Sequence, residues 1–155
     1  MRLYFVRHGD ATWDSWTGPD TERPLTKKGR KQLAAVAVAL QALNVRPDMI
    51  LTSPLPRAAE TAQIVADALA GESVPTPALS PGFGMDALQE LVQSHGEGDL
   101  LLVGHEPDFS QVIGALTGGS VRMAKAGVAR VDLKQANGVH GELIWLVPPK
   151  VLSAQ

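Results

Sequence analysis

Two histidines and two arginines of this 155-residue chain have side chains suited to act together on a phosphoryl group. The four are Arg7, His8, Arg57 and His105. The planar guanidinium fork of an arginine matches the oxygens of a phosphoryl group, which carry its negative charge. A neutral imidazole is a competent nucleophile toward phosphorus, and a second imidazole can donate to the oxygens during transfer. These residue types therefore indicate phosphoryl-transfer chemistry that needs no Mg²⁺.

Short apolar runs precede these residues and are typical of buried strands. The runs lie at residues 3–6, 49–51 and 100–103. Because ligands bind beyond the carboxyl ends of the strands in open α/β sheets, we expect the four side chains to crowd one edge of the sheet. A helix that begins near Arg57 would add backbone N–H donors and a favourable dipole.

A lone histidine at the end of a strand is more often a structural residue than a catalytic one, and a lone arginine at a helix start is usually a solvated charge. What favours function here is that four suitable groups follow three different strands on one edge. His95 and His140 do not follow any of these three strands. We therefore expect these two histidines to be structural.

The order of elements predicts the fold class. Apolar residues at helical spacing mark four helices, within residues 33–43, 58–69, 88–92 and 109–116, and Thr26 is suited to cap the first. Near the end of the chain, residues 128–133 and 143–147 are typical of strands, and Asn137-Gly138 between them is a strong hairpin signal. We expect an α/β, three-layer α/β/α sandwich with a mostly parallel central sheet and an antiparallel edge, in one domain over residues 1–155.

Composition narrows the possible partners and cofactors. The formal net charge is -2, so no global basic field favours nucleic acid or an acidic membrane surface. The chain has no cysteine, which excludes disulfides, Cys-based metal sites and thiol nucleophiles. The apolar run after Met1-Arg2 is too short for a signal peptide, and no run approaches transmembrane length. We expect a cytoplasmic protein without a cofactor.

Four segments, in order along the chain, resemble the motifs of the histidine phosphatase superfamily, which has the phosphoglycerate mutase-like fold. They are Arg7-His8-Gly9, the stretches 25–32 and 53–62, and Val103-Gly104-His105. The chain also resembles one branch of this superfamily, the SixA-type phosphohistidine phosphatases, in its small size and in three further segments. Those segments are Arg23-Pro24-Leu25-Thr26, Leu79-Ser80-Pro81 and Gly104-His105-Glu106-Pro107.

The resemblance implies a role for each matched residue. His8 would be the nucleophile that forms a covalent phospho-His8 intermediate. Arg7, Arg57 and His105 would form the phosphate pocket, and Arg23 would add a further contact. The substrate would be a protein that carries phosphohistidine, or another phosphorylated compound.

The proton donor is the point at which this chain departs from the family pattern. Larger members place an acidic residue after the second helix, whereas residues 79–84 here contain no carboxylate. Glu106, next to His105, is one candidate donor, and Asp10 is a second. Glu106 could equally be a helix-start carboxylate that the dipole favours. Imidazole, with a pKa of about 6.5, leaves more readily than an alkoxide, so a site with a weak acid would favour P–N substrates.

Three alternatives remain open at this point. Within the same superfamily, the chain could be a phosphatase for small phosphomonoesters. It could instead be a metallohydrolase, although two arginines would repel the metal; the ligands would be His8, Asp10, His105 and Asp108. Finally, it could be a module that binds phosphohistidine proteins without hydrolysing them.

Overall fold

The computed structural model describes residues 1–136 and 138–152. Within these residues, six strands form one sheet: β1 (Arg2–Arg7), β2 (Met49–Thr52), β3 (Ser73–Pro75), β4 (Leu100–Gly104), β5 (Val128–Ala136) and β6 (Gly138–Val147). The helices are α1 (Lys27–Ala42), α2 (Pro56–Ala68), α3 (Met85–Ser94), α4 (Asp108–Thr117) and α5 (Pro149–Leu152), with short 3-10 turns at Asp20–Glu22 and Pro77–Leu79.

The strand order across the sheet is β3-β2-β4-β1-β5-β6. Strands β1 to β4 are mutually parallel where they pair, whereas β5 runs antiparallel to β1, and β6 antiparallel to β5. The mostly parallel sheet with an antiparallel edge is thus confirmed. The two central strands β1 and β4 end side by side, because Arg7 pairs with Gly104 in their register.

Successive apolar side chains of β1 lie on opposite faces of the sheet, so both faces must be covered. Tyr4 and Val6 join a buried cluster with α1 and α2, whereas Leu3 and Phe5 join a second buried cluster with α3 and α4. Central parallel strands are apolar on both faces for this reason. The three-layer arrangement is confirmed.

Local signals set the starts of the helices next to the site. Thr26 has an extended backbone, and its Oγ1 accepts from the N–H of Gly29 at 3.0 Å, so the predicted cap of α1 is confirmed. Helix α2 starts with Pro56, where a missing N–H costs nothing. At the other end of α1, the apolar spacing predicts a helix that reaches Leu43, and this bound was wrong. The helix ends at Ala42, and Leu43 is exposed.

The last two strands, and the segment that follows them, contain more secondary structure than the sequence predicts. Strands β5 and β6 pair in antiparallel register up to Ala136 and Gly138, which confirms the two strands, while Asn137 of the predicted turn lies outside the described residues. The strands predicted at 128–133 and 143–147 leave His140 in the connection between them, but it lies within β6 opposite Lys134. The stretch after Pro148 begins with α5, whose Leu152 is buried in the cluster with α1. No helix that the structure describes is both long and apolar enough to cross a bilayer.

Candidate active site

The ends of three strands bring the site together. His8 directly follows β1, His105 directly follows β4, and Arg57 lies in the first turn of α2, just after β2. The backbone N–H of His8 donates to the carbonyl of Gly104 at 3.1 Å, which ties the first two ends to each other. The rings of His8 and His105 therefore lie close, with centroids 5.2 Å apart and planes at 59°.

One pocket of about 360 Å³ lies over these strand ends. The structure places all the residues assigned to catalysis or phosphate binding on its lining: Arg7, His8, Arg23, Arg57, His105 and Glu106. Asp20, Thr12 and Lys125 also line it, and the sequence did not single them out. With three arginines and a lysine against two carboxylates, the pocket is locally cationic in a chain whose net charge is -2. Such a pocket suits a small polyanion.

His8 is held in the form that a nucleophile requires. Its Nδ1 lies 2.8 Å from the carbonyl oxygen of Gly9. Since a carbonyl oxygen only accepts, Nδ1 must carry the proton, and Nε2 keeps its lone pair. Burial, together with the nearby His105, Arg57 and Arg7, lowers the pKa of His8 to about 4, although the bond to Gly9 opposes the shift. The ring is therefore neutral at pH 7.

Gly9 itself is required by close packing. A Cβ at this position would lie 2.5 Å from Cδ1 of Leu33 on α1, so any other residue would require the Leu33 side chain to move. The N–H of Gly9 donates to Oγ1 of Thr61 on α2 at 3.1 Å. Both contacts fix the carbonyl that orients the His8 ring.

His105 is oriented by a serine that the sequence did not single out as a site residue. Nε2 of His105 lies 2.7 Å from Oγ of Ser53, and both residues are buried. The same Oγ accepts from the N–H of Leu55 at 3.2 Å, and its own hydrogen is available to donate to Nε2. In that arrangement, Nδ1 carries the proton. This atom is buried and has no hydrogen-bond partner among the described residues, so it can donate to a bound oxyanion.

The charge of His105 is set in the same way as that of His8. Burial first, and then the nearby Arg57 and Arg7, lower the pKa of His105 to about 4, against the smaller opposing effect of two aspartates. The second imidazole is therefore also neutral at pH 7. Its contribution to anion binding is a hydrogen bond rather than a charge.

Replacing Ser53 by alanine tests this orientation. We expect Ser53→Ala to lower kcat about tenfold to a hundredfold, the range seen when a group that orients an active-site histidine is removed. Nitrogen chemical shifts of His105 should change from the Nδ1–H tautomer to a mixture. Ser53→Thr keeps the hydroxyl and should restore both. Unchanged kcat together with an unchanged tautomer in Ser53→Ala would contradict the assignment.

The half-buried Arg7 and the buried Arg57 are each anchored by one terminal nitrogen. Nη1 of Arg7 donates to the carbonyl of Met123, and Nη1 of Arg57 to the carbonyl of Asp20, both at 2.9 Å. The Nε atoms of both arginines are buried and have no partner among the described residues. Burial lowers the pKa of each, but a guanidinium remains protonated at neutral pH. The anchored forks are thus oriented and still have N–H groups to offer to an anion.

Asp20 connects the irregular segment before α1 to these arginines. One carboxylate oxygen accepts from Nε of Arg23 at 3.0 Å, and the other lies 3.6 Å from Nη2 of Arg57. The side chain is nevertheless 72% exposed. A phosphoryl group would compete with this carboxylate for the two guanidinium groups. The only local signal for Asp20 is its spacing of three residues before Arg23, which is too common to identify a site.

The two candidate proton donors have different environments. Burial by itself raises the pKa of Asp10, but hydrogen bonds from Thr26, Lys125 and Thr12 outweigh it and hold the pKa at about 2. Asp10 is therefore ionised at neutral pH and is a poor proton donor. Glu106 lines the pocket, and its Oε1 accepts from the N–H and the hydroxyl of Ser110 at 3.1 and 2.8 Å. One oxygen of Glu106 thus stabilises the first turn of α4.

The alternative metal site is not assembled. In the part of the chain that the structure describes, no three His, Asp or Glu side chains are grouped to hold a metal ion. Asp10 is instead paired with Lys125 at 3.1 Å, and Asp108 accepts from the N–H of Gly82 at 2.8 Å. Away from the pocket, Nδ1 of His95 donates to the carbonyl of Leu91 in its own helix, at 2.8 Å. That contact fits a structural histidine.

Comparison with known proteins gives a consistent result. The family model of the histidine phosphatase superfamily (branch 1) matches residues 3–80, half of the chain. An uncharacterized protein of Picosynechococcus is 36% identical over 98% of this chain and 99% of its own length. The phosphohistidine phosphatase SixA of Escherichia coli is 29% identical over 96% of this chain and 94% of its own.

A solved structure gives the same relationship in three dimensions. The structure of the protein histidine phosphatase SixA complexed with tungstate superposes with a TM-score of 0.87 at 26% identity, over 98% of this chain and 99% of that one. The likeness thus extends through β5 and β6, beyond the residues that the family model matches. By sequence motif, fold and overall similarity, this chain belongs to the histidine phosphatase superfamily.

Proposed function

We propose that this chain is a phosphatase that dephosphorylates phosphohistidine in a protein through a covalent phospho-His8 intermediate. The observation that carries the proposal is the state of His8: a neutral imidazole with a free Nε2, 5.2 Å from the ring of His105, in a pocket that Arg7 and Arg57 also line. An uncharged imidazole nucleophile beside two oriented guanidinium groups is suited to accepting a phosphoryl group.

In the first step, the lone pair of Nε2 of His8 attacks phosphorus in line with the leaving group. The bond from phosphorus to the substrate imidazole breaks, and its electron pair stays on the departing nitrogen, which takes up a proton from solvent. Arg7, Arg57 and Nδ1–H of His105 hold the equatorial oxygens. Positioning and charge stabilisation supply most of the rate.

In the second step, water attacks phosphorus and the bond to Nε2 of His8 breaks. The electron pair returns to the imidazole of His8, one water proton is lost to solvent, and phosphate is released. The hydrogen bond from Nδ1 to Gly9 does not involve Nε2, so neither step requires it to break and it can hold the ring while Nε2 carries the phosphoryl group.

The environment of the carboxylates supports a P–N substrate. Asp10 is ionised, and Glu106 already uses one oxygen at the start of α4. A site whose carboxylates are poor proton donors is suited to a leaving group that departs as an imidazole. The relative from Escherichia coli is a phosphohistidine phosphatase, which agrees with this choice.

A phosphatase for small phosphomonoesters is the second candidate. One observation favours it: Glu106 lines the pocket, where a carboxylic acid could protonate a departing alkoxide. The cytoplasmic location predicted from the sequence applies to both candidates and stays a prediction.

The test compares kcat/KM for a phosphohistidine-bearing protein with that for aryl and sugar phosphates, in wild type and Glu106→Gln. We expect a preference for the phosphohistidine protein, full activity after exhaustive chelation, and little effect of Glu106→Gln on that substrate. A preference for the monoesters, with a loss of about a hundredfold or more in Glu106→Gln, would establish the second candidate instead. Binding of the phosphoprotein without phosphate release would indicate a recognition module.

A further inference from the structure

The segment between β1 and α1 carries an unusual pair of side chains. We name residues 11–24 the rim loop. Trp13 is 42% exposed and Trp16 is 39% exposed, and they are the only exposed aromatic side chains in the part of the chain that the structure describes. Exposed tryptophan is uncommon on the surface of a folded protein, and it is enriched where proteins bind one another.

Both indole rings are held by the loop itself. Nε1 of Trp13 donates to the carbonyl of Pro24 at 2.9 Å, and Nε1 of Trp16 to the carbonyl of Pro19 at 3.0 Å. Trp16 also packs over Gly18, where an added Cβ would lie 2.8 Å from its Cζ2. Because each polar N–H is already used, the exposed part of each ring is carbon. The rings are fixed before any partner arrives, which lowers the entropy cost of binding.

The rim loop is also fixed to the pocket by the cations of the site. Arg57 donates to the carbonyl of Asp20 at 2.9 Å, Lys125 donates to Oγ1 of Thr12 at 2.8 Å, and Arg23 donates to the carbonyl of Ala11. Thr12, Asp20 and Arg23 line the pocket. The indole of Trp13 bonds to Pro24, the neighbour of Arg23, and the indole of Trp16 bonds to Pro19, the neighbour of Asp20. Both rings are therefore attached to residues that adjoin the pocket lining.

We propose that the rim loop is a docking surface for the phosphorylated protein, with Trp13 and Trp16 packing against apolar side chains near its phosphohistidine. This inference rests on the proposed function. A small phosphate compound has its reacting group inside the pocket and gains nothing from apolar rings outside it. A protein substrate places polypeptide over the mouth, and there two fixed aromatic rings bury apolar area. The loop therefore favours a protein substrate over a free phosphate compound.

The experiment measures kcat/KM for two P–N substrates, a phosphohistidine-bearing protein and free phosphoramidate. The variant is Trp13→Ala/Trp16→Ala, and the matched control is Leu143→Ala/Ile144→Ala, which removes two exposed apolar side chains from β6. We expect the tryptophan variant to lose about tenfold or more on the protein, mainly through KM, and to keep its activity on phosphoramidate. The control should match wild type on both.

Other results overturn the inference. An equal loss on both substrates would assign the tryptophans to the stability of the loop, and no loss on the protein would exclude docking there. Self-association of wild type that the tryptophan variant lacks would identify a second copy of the chain as the occupant. If wild type hydrolyses neither P–N substrate, the proposed function itself fails. In that case, undiminished binding of the phosphoprotein by Trp13→Ala/Trp16→Ala would separately exclude docking.

Discussion

Without the imidazole of residue 8, this protein should neither release phosphate nor become labelled by it. We expect His8→Ala to lower kcat by at least about ten-thousandfold, because no other described side chain in the pocket offers an uncharged nitrogen with a free lone pair in the same place. His105 cannot replace it, since its Nε2 is engaged with Ser53. The measurement is phosphate release together with acid-quenched labelling from a ³²P-phosphohistidine protein.

The control for this variant is His140→Ala. His140 is exposed on β6 and does not line the pocket, so its loss should leave both labelling and turnover at the wild-type level. Circular dichroism should report the same helix content in both variants. An His8→Ala protein that still trapped ³²P and released phosphate would refute the assignment of the nucleophile.

The second large effect is expected at Arg57. This side chain is buried, with Nη1 fixed on the carbonyl of Asp20 and Nε without a partner among the described residues. Its fork is thus already oriented when the phosphoryl group enters. Arg57→Ala should lower kcat/KM by about a thousandfold, the scale of an arginine that stabilises a phosphoryl-transfer transition state.

Two further variants separate geometry from charge. Arg57→Lys keeps the positive charge but loses the planar fork, so it should recover only part of the activity. Arg30→Ala removes an exposed arginine that pairs with Glu60 at 2.8 Å, and it should leave kcat/KM unchanged. The inhibition constant of orthovanadate, an anion of phosphate shape, should rise in the two Arg57 variants alone. A loss below tenfold in Arg57→Ala would show that Arg57 does not hold the transferring group.

Several features of the fold follow from local sequence alone. The uninterrupted apolar runs in β1 and β4 require burial on both faces, which only a layered α/β arrangement provides. The cap at Thr26 is specified within a few residues. The extent of β6 is not, because residues such as His140 have no strong strand preference and are held there by pairing with β5. Leu43 shows the opposite error, since the helical spacing of apolar residues continues to Leu43 whereas the helix ends one residue earlier.

The candidate site also contains residues that the sequence identified and residues that it did not. The residues proposed as nucleophile and phosphate pocket, His8, Arg7, Arg57 and His105, could be selected from the sequence because each stands in a short motif that follows a strand. Ser53 and Asp20 were not identified, because their importance comes from partners 52 and 37 residues away along the chain. Ser53 begins the stretch 53–62 that resembles a family motif, and Asp20 stands three residues before Arg23, but neither signal indicates which distant partner the side chain contacts.

By itself, the sequence determined which chemical groups this protein has and at which strand ends they stand, since strand and helix periodicity and motif spacing are local properties. Only the tertiary structure decided how those groups are charged and oriented. The neutral state of His8, the contact between His105 and Ser53, and the anchoring of Arg57 all arise from burial and from hydrogen bonds between segments that are distant in the chain. Such contacts exist only after the strands have paired in register, so no local pattern can specify them.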